Sequence, residues 1–207
     1  MKQALIRRKT TRERFKLPCT TEQAVSFLAA AYQAEVAFRH RDYVQDEFVD
    51  ANILRLAQFL TADDGKFGVI LCGQCGNGKT TLLYAFQSLL NYMGDTNFFT
   101  ERKGIRIIDA KEVASFARDA KAFTPLKQTD MLAIEDMGRE ATEVLDYGNV
   151  LNPVIDLLEY RYNMQLFTAI TTNLTPKEIR GHYGNRIADR FNEMLEIIIF
   201  ENKSYRK

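Results

Sequence analysis

From Phe67 onward the chain alternates two hydrophobic patterns. Short apolar runs, the signature of strands buried on both faces, fall at 68–72, 105–109, 131–135, 166–171 and 196–200. Between them apolar residues recur at three- and four-residue spacing, which predicts helices over 79–91, 111–122, 150–162, 176–180 and 185–194. The last pair follows Thr175-Pro-Lys-Glu178, which combines an N-cap, Pro at the first helical position and a capping-box Glu. Alternating strands and helices predict an α/β fold: a five-stranded parallel sheet covered on both faces, with ligands at the carboxyl ends of the strands.

Upstream the pattern is helical only. Thr20-Thr-Glu-Gln23 is a capping box, and Val25, Leu28, Tyr32 and Val36 follow on one face of a helix from 21 to about 39. A second helix is predicted over 50–60, with Ile53, Leu56, Ala57 and Leu60 on one face. The chain thus divides into a tail at 1–20, a helical extension at 21–45 and an α/β domain at 46–207. The stripe on the first helix suits packing on its own domain or docking of a partner helix.

The first strand runs directly into Gly73-Gln74-Cys75-Gly76-Asn77-Gly78-Lys79-Thr80, a complete GxxxxGK[ST] loop, and Thr81 continues into a helix. Strand, glycine-rich turn and helix start together aim backbone N–H groups and the positive end of a helix dipole at one point. Polyphosphate is the natural guest there. Lys79 is expected to reach the β- and γ-phosphates, and the Thr80 hydroxyl to ligate Mg²⁺. All nine residues, Gly73 to Thr81, are therefore candidate nucleotide-binding positions.

A second apolar strand ends in adjacent acids, Glu135-Asp136. Hydrolysis needs one acid near the metal and one group to orient or deprotonate water. Neighbouring strand residues point differently, so one strand end supplies both: Glu135 on the metal side, Asp136 on the water side. Asn173 follows another strand, where a neutral amide suits either a turn or a contact to both γ-phosphate and water. Arg186 and Arg190 lie four apart, on one helical face, which is solvated or salt-bridged unless it meets a ligand.

Composition narrows the setting. The 207 residues are 46% hydrophobic, enough for one real core. No apolar run approaches the ~20 residues that span a bilayer, and no secretory signal opens the chain. Three cysteines, an odd number, suit a reducing cytoplasm. Residues 1–16 carry a net charge of +6 while the whole chain carries +1, so the remainder stands at −5. Attraction to nucleic acid is thereby expected in the tail or a local patch.

Taken together, the phosphate loop, Ile-Glu-Asp-Met-Gly138, Arg161-Tyr162, Thr-Thr-Asn173-Leu, Tyr-Gly-Asn-Arg-Ile-Ala-Asp-Arg190-Phe and Ser204-Tyr-Arg206 resemble the DnaC/IstB-type branch of AAA+ ATPases. These are bacterial replicative-helicase loaders and transposition helpers. The resemblance runs from about Phe48 onward. It implies a three-layer P-loop NTPase core, Walker A at Lys79-Thr80, Walker B at Glu135-Asp136 and Asn173 as sensor 1. It also implies Arg190 as the arginine finger of a neighbouring subunit, with Arg186 as runner-up. ATP and Mg²⁺ as cofactors, ATP hydrolysis, a homo-oligomer, single-stranded DNA and a replicative helicase or transposase as partners follow from the same likeness, with no membrane role.

Two departures matter. The usual carboxylate pair begins with Asp, whereas here Glu135 comes first, and a change of reach at each place predicts slow turnover. Only 17 residues follow Arg190, so no C-terminal helical lid is expected, and Arg206 is left as a substitute for its sensor arginine. Cys72-Gly-Gln-Cys75 has CxxC spacing but straddles strand end and loop, with no second pair. Two other readings compete: a small P-loop kinase, and a nucleotide-gated DNA- or protein-binding module with negligible hydrolysis. The kinase is disfavoured because 72 residues precede the loop here, whereas such enzymes usually begin close to it, and they have no use for a sensor Asn with an interface Arg.

Overall fold

The computed structural model describes residues 13–63, 65–96, 104–141, 144–146 and 149–206. The basic residues Lys2, Arg7, Arg8, Lys9 and Arg12 lie outside them. Among the described residues two helices come first, α1 (Thr21–Phe38) and α2 (Glu47–Thr61), followed by β1 (Gly68–Gly73) and α3 (Lys79–Asp95). Then come β2 (Arg106–Asp109), α4 (Ala110–Ala117), α5 (Ala120–Gln128), β3 (Met131–Met137), β4 (Val144–Asp146) and β5 (Asn149–Leu151). The series closes with α6 (Pro153–Asn163), β6 (Phe167–Thr172), α7 (Pro176–Met194) and β7 (Leu195–Phe200).

Five parallel strands form one sheet in the order β2-β3-β6-β1-β7, as the apolar runs predict. Alternation along β1 sorts the core into two halves. Val69 and Leu71 join Leu28, Ile53, Leu56, Phe86 and Leu90 from α1, α2 and α3. Ile70 and Cys72 join Val113, Leu126, Leu157 and Phe191 from α4 to α7. Three layers result. Leu17 is fully buried, its N–H donating to Leu60 O at 2.8 Å, and Phe15 meets Phe167 edge-on at 5.3 Å. The end of the segment preceding α1 is therefore part of the body.

Both predicted capping boxes form. Thr20 Oγ1 accepts from Gln23 N at 3.3 Å, and Thr175 Oγ1 from Glu178 N at 3.3 Å. Three local expectations are corrected. The single helix over 111–122 is two helices, because Asp119 Oδ1 accepts from Lys121 N at 2.9 Å and starts a new N-terminus. The helix expected from 150 begins at Pro153, and the residues before it pair as a β4–β5 hairpin that the sequence pattern does not announce. Finally, 176–180 and 185–194 belong to one element, kinked where Gly184 takes φ 83 and ψ 166.

Arg161 fixes the sheet beneath the site. It is 0% exposed, and its guanidinium donates to Thr168 Oγ1 at 2.9 Å, Thr129 O at 2.6 Å and Phe167 O at 2.5 Å. One buried fork thereby ties the α5–β3 junction to the start of β6, in the planar multidentate geometry only arginine offers.

Candidate nucleotide site

β1 delivers the chain into the 73–80 loop and α3 leaves it at Lys79. Gly76 and Gly78 sit at φ 83 and 99, and added Cβ atoms would fall 2.2 Å from Ser204 Oγ and 2.5 Å from Tyr32 Oη. Both left-handed conformation and crowding therefore demand glycine. Gly78 at the N-cap offers no side chain to the first N–H groups of α3, which stay available to an anion. Gln74 and Cys75 are exposed at the loop's tip, Asn77 is buried, and Thr80 and Thr81 are half-buried.

The outside of the loop is braced by the segment after β7. Tyr205 N donates to Gly76 O at 2.9 Å, and Asn202 Nδ2 to Asn77 O at 2.9 Å. Asn77 Nδ2 in turn donates to Phe200 O at 3.1 Å. Arg206 Nη1 lies 3.4 Å from Cys75 Sγ, so this arginine stands at the loop. Tyr205 OH also donates to Asp46, before α2, and burial together with that carboxylate pushes the phenol up.

Lys79 is the centre. Its Nζ donates toward Gly73 O and Gln74 O at 2.7 Å each, Asn77 Oδ1 at 3.0 Å and Asn173 Oδ1 at 3.1 Å. Four acceptors exceed three N–H groups, so at least one bond is shared. Burial lowers the ammonium's pKa, and the nearby Asp136 charge opposes that. The Asn173 contact joins positions 94 residues apart, closing the loop against the end of β6.

Glu135 and Asp136 stand at the end of β3, where the register with β6 shifts between Ile134 and Met137. Glu135 Oε2 accepts from Tyr84 OH at 3.3 Å. Asp136 takes φ 55, its N–H donating to Thr171 Oγ1 at 3.0 Å, and its carboxylate accepts from Arg139 Nη1 at 2.5 Å. Behind this turn the buried Glu140 accepts from Gly138 N at 2.8 Å and from Tyr183 OH on α7. Burial and the Glu140 carboxylate raise the Tyr183 pKa.

Arg186 and Arg190 lie elsewhere. Both meet one atom of α6, Glu159 Oε1, at 3.1 and 2.6 Å. Arg190 is 15% exposed and stacks 5.0 Å over the Tyr162 ring, whereas Arg186 is 72% exposed. Among the described contacts neither reaches the phosphate loop of its own chain. Tyr32, Tyr84 and Asn202 carry no motif signal, because each acts through a partner far along the chain, and Arg139 and Glu140 follow the acid pair without any spacing that marks them.

The residues present fit nucleotide and a divalent ion. The glycine cradle and the open helix start suit phosphate, while the Thr80 hydroxyl and Glu135 carboxylate are the oxygen donors a hard cation takes. Among the described residues no group of three or more His, Cys, Asp or Glu is placed to hold a metal ion. Nor is any described helix long and apolar enough to cross a membrane.

The sheet, with the phosphate loop at the end of β1 between β6 and β7, superimposes on solved structures. The DnaC helicase loader matches at a TM-score of 0.58 and 20% identity over 77% of this chain and 94% of that one. The chain has a DnaC-like AAA+ fold. DnaI matches at 0.56 and 22% identity over 80% of this chain and 87% of its own. AMPPCP-bound DnaA from Aquifex aeolicus matches at 0.53 and 16% identity over 78% of this chain and 50% of its own. No family model matches the sequence, and no curated protein matches it. At such identities it is the AAA+ fold that is shared: a parallel sheet, helices on both faces and a loop at the carboxyl end of β1. In this chain α1 and α2 precede that core, and the described residues after β7 form no helix.

Proposed function

We propose that this chain is an ATP-binding, slowly hydrolysing AAA+ switch that acts in DNA replication as a helicase loader in the cytoplasm, assembling with copies of itself on single-stranded DNA and a replicative helicase. The observation that carries the reading is Lys79 Nζ held at 3.1 Å from Asn173, inside a glycine cradle that ends β1. Likeness to the DnaC helicase loader supports this choice over a transposition helper.

Lys79 would exchange its carbonyl partners for β- and γ-phosphate oxygens, and Thr80 and Glu135 would hold Mg²⁺. The ion supplies neutralisation of the phosphate charge when bound. Asn173 orients a water, whose oxygen bonds to the γ-phosphorus as the bridge to ADP breaks. Its proton passes to Asp136 and on to solvent. Arg190 of a neighbouring copy meets the developing charge, so hydrolysis follows assembly.

Basal turnover should stay below roughly 10 per second, the enzyme median. Part of the restraint is the Arg139–Asp136 pair, because a carboxylate oxygen occupied by a guanidinium is a poor proton acceptor. Arg139→Ala is expected to raise basal turnover roughly two- to fivefold, the scale of a partly exposed ion pair. Steady-state phosphate release checks it, and a fall would show that Arg139 serves the reaction.

Phosphate release by the full chain, measured with and without single-stranded DNA, tests the class. The loader reading expects Lys79-dependent release that DNA alters. A kinase would be indifferent to DNA, and a binding module would release none.

A further inference from the structure

Glu135 is longer by a methylene than the Asp expected at its place, and the structure holds it from a helix no motif includes. Thr80, Tyr84 and Ser88 stand at four-residue spacing, one polar stripe along α3. Each is half-buried. Thr80 belongs to the phosphate loop, Tyr84 OH donates to Glu135 Oε2 at 3.3 Å, and Ser88 Oγ donates to Glu35 Oε1 on α1 at 2.9 Å. Arg39, capping α1, places its guanidinium 5.5 Å from the centre of the Tyr84 ring. The tyrosine is therefore steered from two sides: its hydroxyl by the acid, its ring by the end of α1.

A flexible Glu with an extra torsion loses more freedom than Asp when it is fixed beside a cation. A hydrogen bond from a phenol held by stacking and packing removes part of that freedom beforehand. Tyr84 accepts no metal itself in this arrangement. It acts through Glu135.

We propose that Tyr84 is a positioning residue that orients Glu135 for the divalent ion, and that α1 reaches the metal side of the site through Arg39 and Tyr84. The inference rests on the ATPase reading and explains how a Glu serves where a shorter acid is usual. It makes the helical extension a part of the metal site. Displacing the end of α1, next to Phe38 at 80% exposure, would loosen Tyr84 and weaken the hold on the ion.

The test is a Mg²⁺ titration of the full chain with the non-hydrolysable analogue AMPPCP, read by thermal melting. Tyr84→Phe should shift the Mg²⁺ midpoint upward by roughly three- to tenfold, the scale of one hydrogen bond to a charged group. Analogue binding in EDTA should stay unchanged. Arg39→Ala should shift the midpoint in the same direction by less. In a Glu135→Asp background the shorter acid falls out of reach of the phenol, so Tyr84→Phe should add nothing. An unchanged midpoint, or an equal shift in the Glu135→Asp background, overturns the positioning role. If the wild-type chain shows no Lys79-dependent stabilisation by Mg²⁺ and AMPPCP, the nucleotide reading falls and takes this inference with it.

Discussion

Lys79→Ala is expected to lower phosphate release by roughly 10²–10⁴-fold, because two charge-assisted bonds to the transferring phosphate are lost at about 1.5–3 kcal/mol each. The ammonium spends its three N–H groups on Gly73 O, Gln74 O, Asn77 and Asn173. These are neutral partners, and a polyphosphate offers charged ones, so the exchange favours binding. Folding should suffer little by comparison, since burial already lowers the lysine's pKa and so marks its charged form as costly there. Release assays paired with circular-dichroism melts separate the two effects. A variant that keeps more than about a tenth of the wild-type rate would show that Lys79 does not bear on the reacting phosphate, a tenfold change being about 1.4 kcal/mol.

Arg190→Ala should leave nucleotide affinity intact and abolish assembly-stimulated hydrolysis, a loss on the order of 10³-fold for an arginine supplied in trans. In that role the arginine would have to change partners. It is mostly covered, paired with Glu159 at 2.6 Å and stacked on Tyr162, so reaching a neighbour means leaving both. Arg186 shares the same carboxylate oxygen at 3.1 Å and stays exposed. Measuring turnover against protein concentration for each variant assigns the role. Loss of stimulation in Arg186→Ala, with Arg190→Ala unaffected, would move the finger to Arg186.

The parts legible in the sequence were those encoded locally. Unbroken apolar runs announce the five parallel strands, and the cap at Thr175-Pro176 announces the start of α7. The 73–80 loop announces itself because glycine, lysine and threonine are each required at one spacing. Elements fixed by competition were harder to read. Asp119 breaks a helical pattern through a side-chain bond to the backbone that only local geometry decides. Gly184 bends α7 without ending it, so two predicted helices are one. At the site, the hidden residues are those whose partners lie far along the chain: Tyr84 for Glu135, and Asn202 for Asn77. Arg139 is adjacent in sequence, yet its grip on Asp136 needs the left-handed turn at φ 55, which no composition signal marks at a non-glycine residue.

In the proposed switch the site is shared between copies, with the phosphate loop from one and the arginine from the next. Mixing two inactive chains tests it most directly. Lys79→Ala supplies Arg190 but binds no nucleotide productively, and Arg190→Ala binds nucleotide but supplies no arginine. In an equal mixture, random head-to-tail pairing makes about a quarter of the interfaces complete. Phosphate release should reappear at about that fraction of the wild-type assembled rate, though neither chain alone shows it. A mixture as inactive as its components, from two variants that fold and assemble, would contradict the shared site.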